Sequence, residues 1–418
     1  MIDMWEFKNL DKYLRCKEGL KTIDKKMGKE ILIVRNFGPI TNLDIEIRPF
    51  TLFIGTQGSG KSTISKLLTI CRDIRWWLQI LENKDVMKPF VDFGINEYFQ
   101  EDSFFSYVLD DEEIKYEKGT FEYKSQGKND KEAIIKALRF LIAESSVSYL
   151  KKEKDGLTAE NLFDPHTLNV LKAYSRMGLY ILAERNLVGN LSDSLASIML
   201  HQIPLSNPLL EYMSMFEKAK KEFSTYEVPF FGVRYVKKEG KDKIELTNKA
   251  KDLPLSACSS GLQSALPMLM VIDYTLKTGC FNSFVVEEPE QNLFPENQRE
   301  VLGFFTKGLL EEEGNKFVLT THSPYLLSCL NVLMLAYKLH HIESVSEEVE
   351  RMIVPDYTLN PDVVAVYGLY PNEKEYCKSL ISEKTGLVSV NELDSVSEII
   401  GDDFDRLYDL YRQVNKKK

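Results

Sequence analysis

Cysteine is sparse in this 418-residue chain. Its six residues, Cys16, Cys71, Cys258, Cys280, Cys329 and Cys377, form no CxxC pair and no metal-ligand spacing. That excludes a cysteine-held metal knuckle and leaves reduced thiols in a cytoplasmic protein as the expected state. Long apolar runs are missing too. The longest, such as Leu266–Ile272, fall far short of the ~20 residues that span a bilayer, so no membrane role is expected. Met1 soon leads into MWEFKNLDKYLRCKEGL, Met4–Leu20, which is charged and interrupted, unlike a signal peptide. Positive charge is in deficit as well: 53 Lys and Arg against 63 Asp and Glu leave a net charge of −10. This argues against a surface that coats nucleic acid everywhere, while leaving a local basic groove open. Its candidates are Lys237, Lys238, Lys241 and Lys243, or Lys218, Lys220 and Lys221. Both runs contain or adjoin glutamates and read first as solvated faces, and Lys416–Lys418 reads as a tail. There is no internal repeat, no low-complexity tract and no sustained heptad.

What is present is a globular balance, with 44% hydrophobic and 28% charged residues. The length suggests two packed lobes with ample core. The strongest local signal is FIGTQGSGKST, in which Gly55, Gly60, Lys61 and Ser62 satisfy G-x-x-x-x-G-K-[ST]. Glycines let such a loop wrap closely around phosphate and present backbone N–H donors. The cradle is Gly55, Thr56, Gln57, Gly58, Ser59, Gly60, Lys61, Ser62 and Thr63. Lys61 would reach the β- and γ-phosphates and the Ser62 hydroxyl would sit on Mg²⁺. A helix from Lys61 to about Leu81 would aim its positive end at the same anion. Upstream, Ile31–Val34, Leu43–Ile47 and Thr51–Ile54 read as three short strands, an antiparallel lead-in unlike that of a simple kinase.

A second signal is FVVEEPEQNLFP, where the apolar run Phe284–Val286 ends in Glu287–Glu288. At a buried strand end the first carboxylate can hold Mg²⁺ and the second can polarise a water for in-line attack. Two adjacent acids there are costly without a cation nearby. A plain acidic turn before Pro289 is the bland alternative. The third signal is NKFVLTTHSPYLL: the short run Phe317–Leu319 ends at Thr320, Thr321, His322 and Ser323. His322 alone among five histidines stands at a strand end that can meet phosphates, which makes it a γ-phosphate sensor candidate. His166, His201 and His340–His341 read as surface or packing residues.

In their order, GTQGSGKS, SSGLQ, FVVEEPEQNLFP and TTHSP resemble the ABC-type ATPases of the SMC and RecF class. Within that class EEPE and TTHSPY resemble the OLD-type ATPases and their relatives in bacterial anti-phage defence operons of the Septu and PARIS kind. The resemblance implies a head-to-head dimer, open to higher assembly, with two ATPs sandwiched at its interface. Each ATP would touch one subunit's loop and the other's signature helix, here Ser259, Ser260, Gly261, Leu262 and Gln263. Ser259 and Leu262 depart from the usual L-S-G-G-Q; Ser260, Gly261 and Gln263 keep it. Glu287 stands where the metal-side residue is conventionally Asp. Pro289–Leu293 would cross the dimer seam. YILAERN resembles a segment of these relatives, with Glu184 and Arg185 on the γ-phosphate side. As a local feature, SACSSGLQS is a helix cap.

The implied fold is an α/β P-loop NTPase with an ABC-type head, a mixed sheet core plus antiparallel N-terminal strands, and an inserted mainly helical lobe. Its parts are 1–28, an N-terminal helical extension; 29–82, the loop-bearing half of the ATPase; 83–250, the insert; 251–340, the second half; and 341–418, a completing strand and helix. In the insert, Lys131–Leu150 and Leu209–Phe223 read as amphipathic helices, and Val233–Val236 with Ile244–Leu246 as a β-hairpin. Val363–Tyr367 reads as an edge strand. Asp403-Phe404-Asp405 invites a Toprim-type metal reading. However, Phe404, Leu407, Tyr408, Tyr411 and Val414 fall on one helical face, so no nuclease is expected. The expected function is an ATP-hydrolysing, Mg²⁺-dependent dimeric switch for a separately encoded effector such as a nuclease or toxin. A RecF-like DNA-repair clamp, with DNA as partner, is the alternative.

Overall fold

Three β-rich segments and the helices between them build the molecule, a computed structural model that describes residues 29–125, 131–132, 134–136, 138–139, 178–191, 201, 204–238, 240–246, 252–278, 281–311, 314–389 and 406–407. The alternating segment after Lys29 forms β1 (Glu30–Phe37) and β2 (Ile40–Glu46), joined across Gly38–Pro39 and paired antiparallel. β1 and β2 both extend beyond the apolar runs Ile31–Val34 and Leu43–Ile47 at the turn between them. The almost wholly buried β3 (Phe50–Gly55) then feeds the glycine loop.

The single helix expected from Lys61 to Leu81 is two. The first, α1 (Lys61–Cys71), stops at Arg72, and α2 (Ile74–Leu81) restarts behind Asp73. The Asp73 carboxylate accepts the Arg75 N–H at 2.8 Å, an N-cap that satisfies one of the new helix's free donors. Arg72 meanwhile turns its side chain into the core.

The stretch expected as a helical insert, 83–250, contributes α3 (Lys88–Asp92) and then β4 (Phe99–Leu109), β5 (Glu112–Glu117) and β6 (Thr120–Ser125). These three extend the first hairpin into a five-stranded sheet ordered β2-β1-β4-β5-β6. Next come β7 (Gly178–Ile181), α4 (Leu187–Leu191) and α5 (Asn207–Glu222), the last matching the amphipathic pattern at 209–223. A three-stranded antiparallel sheet follows from β8 (Thr225–Val228), β9 (Val233–Lys238) and β10 (Lys241–Leu246), the last two being the expected hairpin. Of Lys131–Leu150, the described positions between 131 and 139 are helical and the remainder lies outside the described residues. The extension 1–28 and Asp403-Phe404-Asp405 also lie outside them.

The rest is α6 (Ser260–Thr278), β11 (Ser283–Glu287), α7 (Pro295–Glu311), β12 (Lys316–Thr321), α8 (Pro324–His340), α9 (Ser346–Met352), β13 (Val364–Leu369) and β14 (Cys377–Ser379). The six-stranded central sheet is ordered β14-β13-β3-β12-β11-β7, and every pairing except β13 with β14 is parallel. Its short strands are buried on both faces, which is why they read as continuous β-branched runs rather than alternations. β13 is not the edge strand that its position suggested. It pairs with β3 on one side, and β14 covers its other side.

Two clusters hold the layers together. At the sheet's N-terminal end, Glu30 is buried and accepts from Arg72 Nε at 2.8 Å, Lys316 Nζ at 2.6 Å and the Tyr107 hydroxyl at 2.8 Å. Arg72 Nη1 also donates to the Ser283 hydroxyl at 2.7 Å. One carboxylate thus ties β1 and β4 to the end of α1 and the first residues of β11 and β12. The second cluster is aromatic: Trp76, Phe90, Phe99, Phe105 and Phe121 pack mostly edge to face between α2, α3 and the five-stranded sheet. Among the described residues no helix is long and apolar enough to cross a membrane, and Cys71, Cys258, Cys329 and Cys377 are free thiols.

Candidate functional site

Parallel pairing puts the carboxyl ends of five strands along one edge, the edge where open α/β sheets bind ligands. In register, Leu369 stands beside Gly55, Ile54 beside Thr321, Thr320 beside Glu287, and Val286 beside Ile181. All three sequence signals therefore converge, although they lie far apart along the chain.

The loop from Gly55 to Gly60 is wound as a cradle opening α1. Gly60 has φ +93°, a conformation that a side chain rarely adopts, and a Cβ there would stand 2.5 Å from the Tyr376 hydroxyl. That hydroxyl donates to the Ser59 carbonyl at 2.5 Å and braces the loop from behind. Thr56, Gln57, Gly58 and Ser62 face solvent, while Ser59, Lys61 and Thr63 are buried. Lys61 Nζ donates to the carbonyls of Gly55 and Thr56, both at 2.9 Å, and to the Ser59 hydroxyl at 3.3 Å. Burial pulls its pKa down to about 8, and Glu288, Glu287 and Glu290 counter that in part. A lysine so placed is an ammonium held by its own loop.

Glu287 ends β11 and is buried, with hydroxyls of Ser62 and Tyr180 as hydrogen-bond donors and burial pushing its pKa up. Its Oε1 has no hydrogen-bond partner. Glu288 takes φ +43°, a left-handed conformation unusual for a side-chain-bearing residue. Its backbone N–H reaches the Thr320 carbonyl at 2.9 Å, and its carboxylate lies 3.4 Å from His322 Nε2. Burial and the Lys61 ammonium hold the His322 pKa below the usual imidazole range, against Glu288 and a hydrogen bond to the Gly55 backbone. At neutral pH this ring is uncharged.

Sequence reasoning passed over Glu290. It is buried, accepts the Thr321 hydroxyl at 2.5 Å and the His322 N–H at 3.1 Å, and thereby orients the end of β12. The third acid of EEPE was visible; its partners were not. Tyr376 carried no local signal, and Tyr180, although the first residue of YILAERN, meets Glu287 only through tertiary packing. Arg185 is placed differently from the phosphate-side expectation. It is 0% exposed and lies behind the acids, donating to the carbonyls of Glu287 and Glu288, each at 2.5 Å. Glu184 beside it is exposed.

The signature stretch behaves as a helix start. Ser259 Oγ accepts the Leu262 N–H at 3.4 Å, and Ser260 opens α6 with its side chain in solvent. A Cβ on Gly261 would come within 2.6 Å of the Asn292 carbonyl, so this glycine admits the Pro289–Leu293 loop. The Gln263 amide turns inward to the carbonyls of Cys258 at 2.7 Å and Ser256 at 3.2 Å. Of the three, Ser260 is left facing outward.

Among the described residues no group of three or more His, Cys, Asp or Glu is arranged to hold a metal. A protein-only metal cage is not what Mg²⁺ needs, because it is commonly held by one or two side chains plus phosphate oxygens and waters. The orphaned Glu287 Oε1 beside Ser62 fits that pattern.

Comparison with known proteins agrees with this chemistry. A family model described as an AAA ATPase domain matches residues 184–327, a span that contains α6, β11 and β12 and begins after the glycine loop. No curated protein matches the chain. Among solved structures, an SMC head domain from Thermotoga maritima is 14% identical, covering 72% of this chain and 91% of its own, with TM-score 0.36. An Smc head domain with an extended coiled coil, bound to the C-terminal domain of ScpA derived from Pyrococcus furiosus, is 14% identical over 90% of this chain and 98% of its own, with TM-score 0.40. An SmcHead bound to the C-winged helix domain of ScpA is 13% identical over 86% and 99%, with TM-score 0.42. The chain is an ATPase on a P-loop α/β fold, and its similarity to the AAA ATPase domain extends over residues 184–327.

Proposed function

We propose that the chain binds ATP with Mg²⁺ at the Gly55–Thr63 cradle, hydrolyses it through Glu288, and works as a dimer whose closure controls a separate effector. The observation that carries the hydrolytic reading is the convergence of Lys61, Glu287, Glu288 and His322 on one sheet edge, with His322 Nε2 3.4 Å from Glu288. The amides of the loop and the start of α1 face the phosphates, and Lys61 moves from the carbonyls of Gly55 and Thr56 onto them. Ser62 and Glu287 would hold Mg²⁺, which would supply charge compensation for the phosphoryl transfer. Glu288 draws a proton from the attacking water while neutral His322 donates toward the γ-phosphate.

The dimeric part is supported by the orientation of the signature. Ser260 faces solvent at the start of a 19-residue helix, where its hydroxyl and the first free N–H groups suit an anion held by a second copy. The effector and the anti-phage setting rest on the resemblance of EEPE and TTHSPY. For the DNA-clamp alternative, two of the lysines that could line a groove are already paired with acids. Lys238 lies 2.7 Å from Glu245 and 2.8 Å from Asp252, and Lys220 lies 2.8 Å from Glu217 and 3.0 Å from Asp242.

Lys61→Ala should lose ATP binding, read by calorimetry, and with it turnover; wild-type turnover in this variant would end the ATPase assignment to this loop. Glu288→Gln should keep binding and accumulate as closed dimers in ATP and Mg²⁺. A monomer by light scattering under those conditions would sink the sandwich.

A further inference from the structure

Arg185 is a wholly buried cation, so its place in the site has to come from what it touches. Nη1 donates to the Glu287 carbonyl at 2.5 Å and to the Leu182 carbonyl at 3.2 Å, and Nη2 donates to the Glu288 carbonyl at 2.5 Å. The guanidinium therefore spans the two peptide units that carry the metal-side and water-side acids. Glu288 needs such a hold. Its φ of +43° lies where a side-chain-bearing residue persists only when its surroundings over-determine it. Pro289 follows, so the next backbone nitrogen has no N–H with which to fix the turn. The other local ties are the Glu288 N–H to Thr320 at 2.9 Å and the Gln291 N–H to the Glu288 carbonyl at 2.9 Å. A planar fork with fixed donor geometry suits two adjacent carbonyls in a way that a point-like ammonium does not. Burial disfavours the guanidinium's charge, and Glu290, Glu288 and Glu287 offset part of that penalty.

We propose that Arg185 is a positioning residue for hydrolysis, whose guanidinium locks the Glu287 and Glu288 carbonyls and so fixes the left-handed turn that aims the Glu288 carboxylate. This rests on Glu288 being the carboxylate that acts on water. Arg185 is wholly buried and acts through the two carbonyls it holds.

The test compares Arg185→Lys and Arg185→Met with the wild-type full chain. It reads turnover, KM for Mg·ATP, affinity for a non-hydrolysable ATP analogue, and thermal melting. A misaimed catalytic group costs on the order of 10²-fold, so kcat should fall by about that factor in Arg185→Met. Analogue affinity and KM should stay put. Arg185→Lys, which can reach one carbonyl but not both, should recover part of the loss. Unchanged kcat in both variants overturns the proposal. So does a parallel loss of melting temperature, analogue affinity and turnover in both, because that marks a residue that merely holds the fold. Failure of the underlying reading looks different: no turnover by the wild type, or wild-type turnover by Glu288→Gln.

Discussion

Lys61 shows how far a single residue's surroundings can bend its chemistry. Its ordinary value of 10.5 drops to about 8 because the ammonium is buried before phosphate arrives. The folded, nucleotide-free protein thus holds fewer protons here than the unfolded chain between pH 8 and 10.5. Its own stability gains from rising pH across that window. ATP affinity should run the other way, since phosphate oxygens need the charged lysine. Affinity measured by calorimetry should fall as pH rises through about 8, with proton uptake on binding above that point. A flat profile from pH 8 to 10 would show that Lys61 does not contact the nucleotide. The identity of this residue was plain from G-x-x-x-x-G-K-[ST]; its depressed pKa was not, because the burial that causes it comes from neighbouring elements.

Among the elements, the start of α6 matters most. Ser260, Gly261 and Gln263 looked alike in sequence as residues offered to a ligand. In the structure Gly261 admits the Asn292 carbonyl and Gln263 caps its own lead-in, which leaves Ser260 as the outward group. Gly261→Ala would drive a Cβ to 2.6 Å from that carbonyl. Overpacking of this kind costs typically ~1–3 kcal/mol. We expect that loss in denaturant titration, with reduced turnover because the displaced loop follows directly on Glu288. Stability equal to wild type would mean that the loop yields freely. The break between α1 and α2 gives the opposite lesson. Asp73 ahead of Ile74 was a readable cap, but the continuous apolar periodicity concealed it.

At the scale of the molecule, the Glu30 cluster ties the five-stranded sheet to the central sheet. Arg72 and Lys316 pull the Glu30 pKa far below the usual carboxylate range, overcoming the opposing effect of burial. The sign follows directly. The folded protein releases this proton more readily than the unfolded chain, so the contribution is complete above about 4.5, the carboxylate's ordinary value, and fades as pH falls below it. Removing one partner of a buried ion pair costs about 3–5 kcal/mol. Glu30→Gln should therefore lower stability at pH 7 by an amount of that order, and the gap to wild type should narrow in acid. An equal gap at pH 7 and pH 3 would refute this account of the cluster.

Sequence alone determined the chemistry that is local: the phosphate loop, the acid pair after a β-branched run, the histidine after another, and the hairpin at 233–246. Each is a matter of residue types a few positions apart, which backbone geometry and hydrogen bonding turn into a recognisable element. Tertiary structure alone decided which of those elements meet. Strand order set Thr320 beside Glu287 and Ile54 beside Thr321. Folding brought Tyr376 under a loop 317 positions away in the chain, and Arg185 behind acids 102 and 103 positions away. It also made β13 an interior strand. The physical reason is range. Propensity, capping and turn chemistry act over one or two turns of chain, whereas burial, pKa and close approach depend on neighbours that only a packed core assembles.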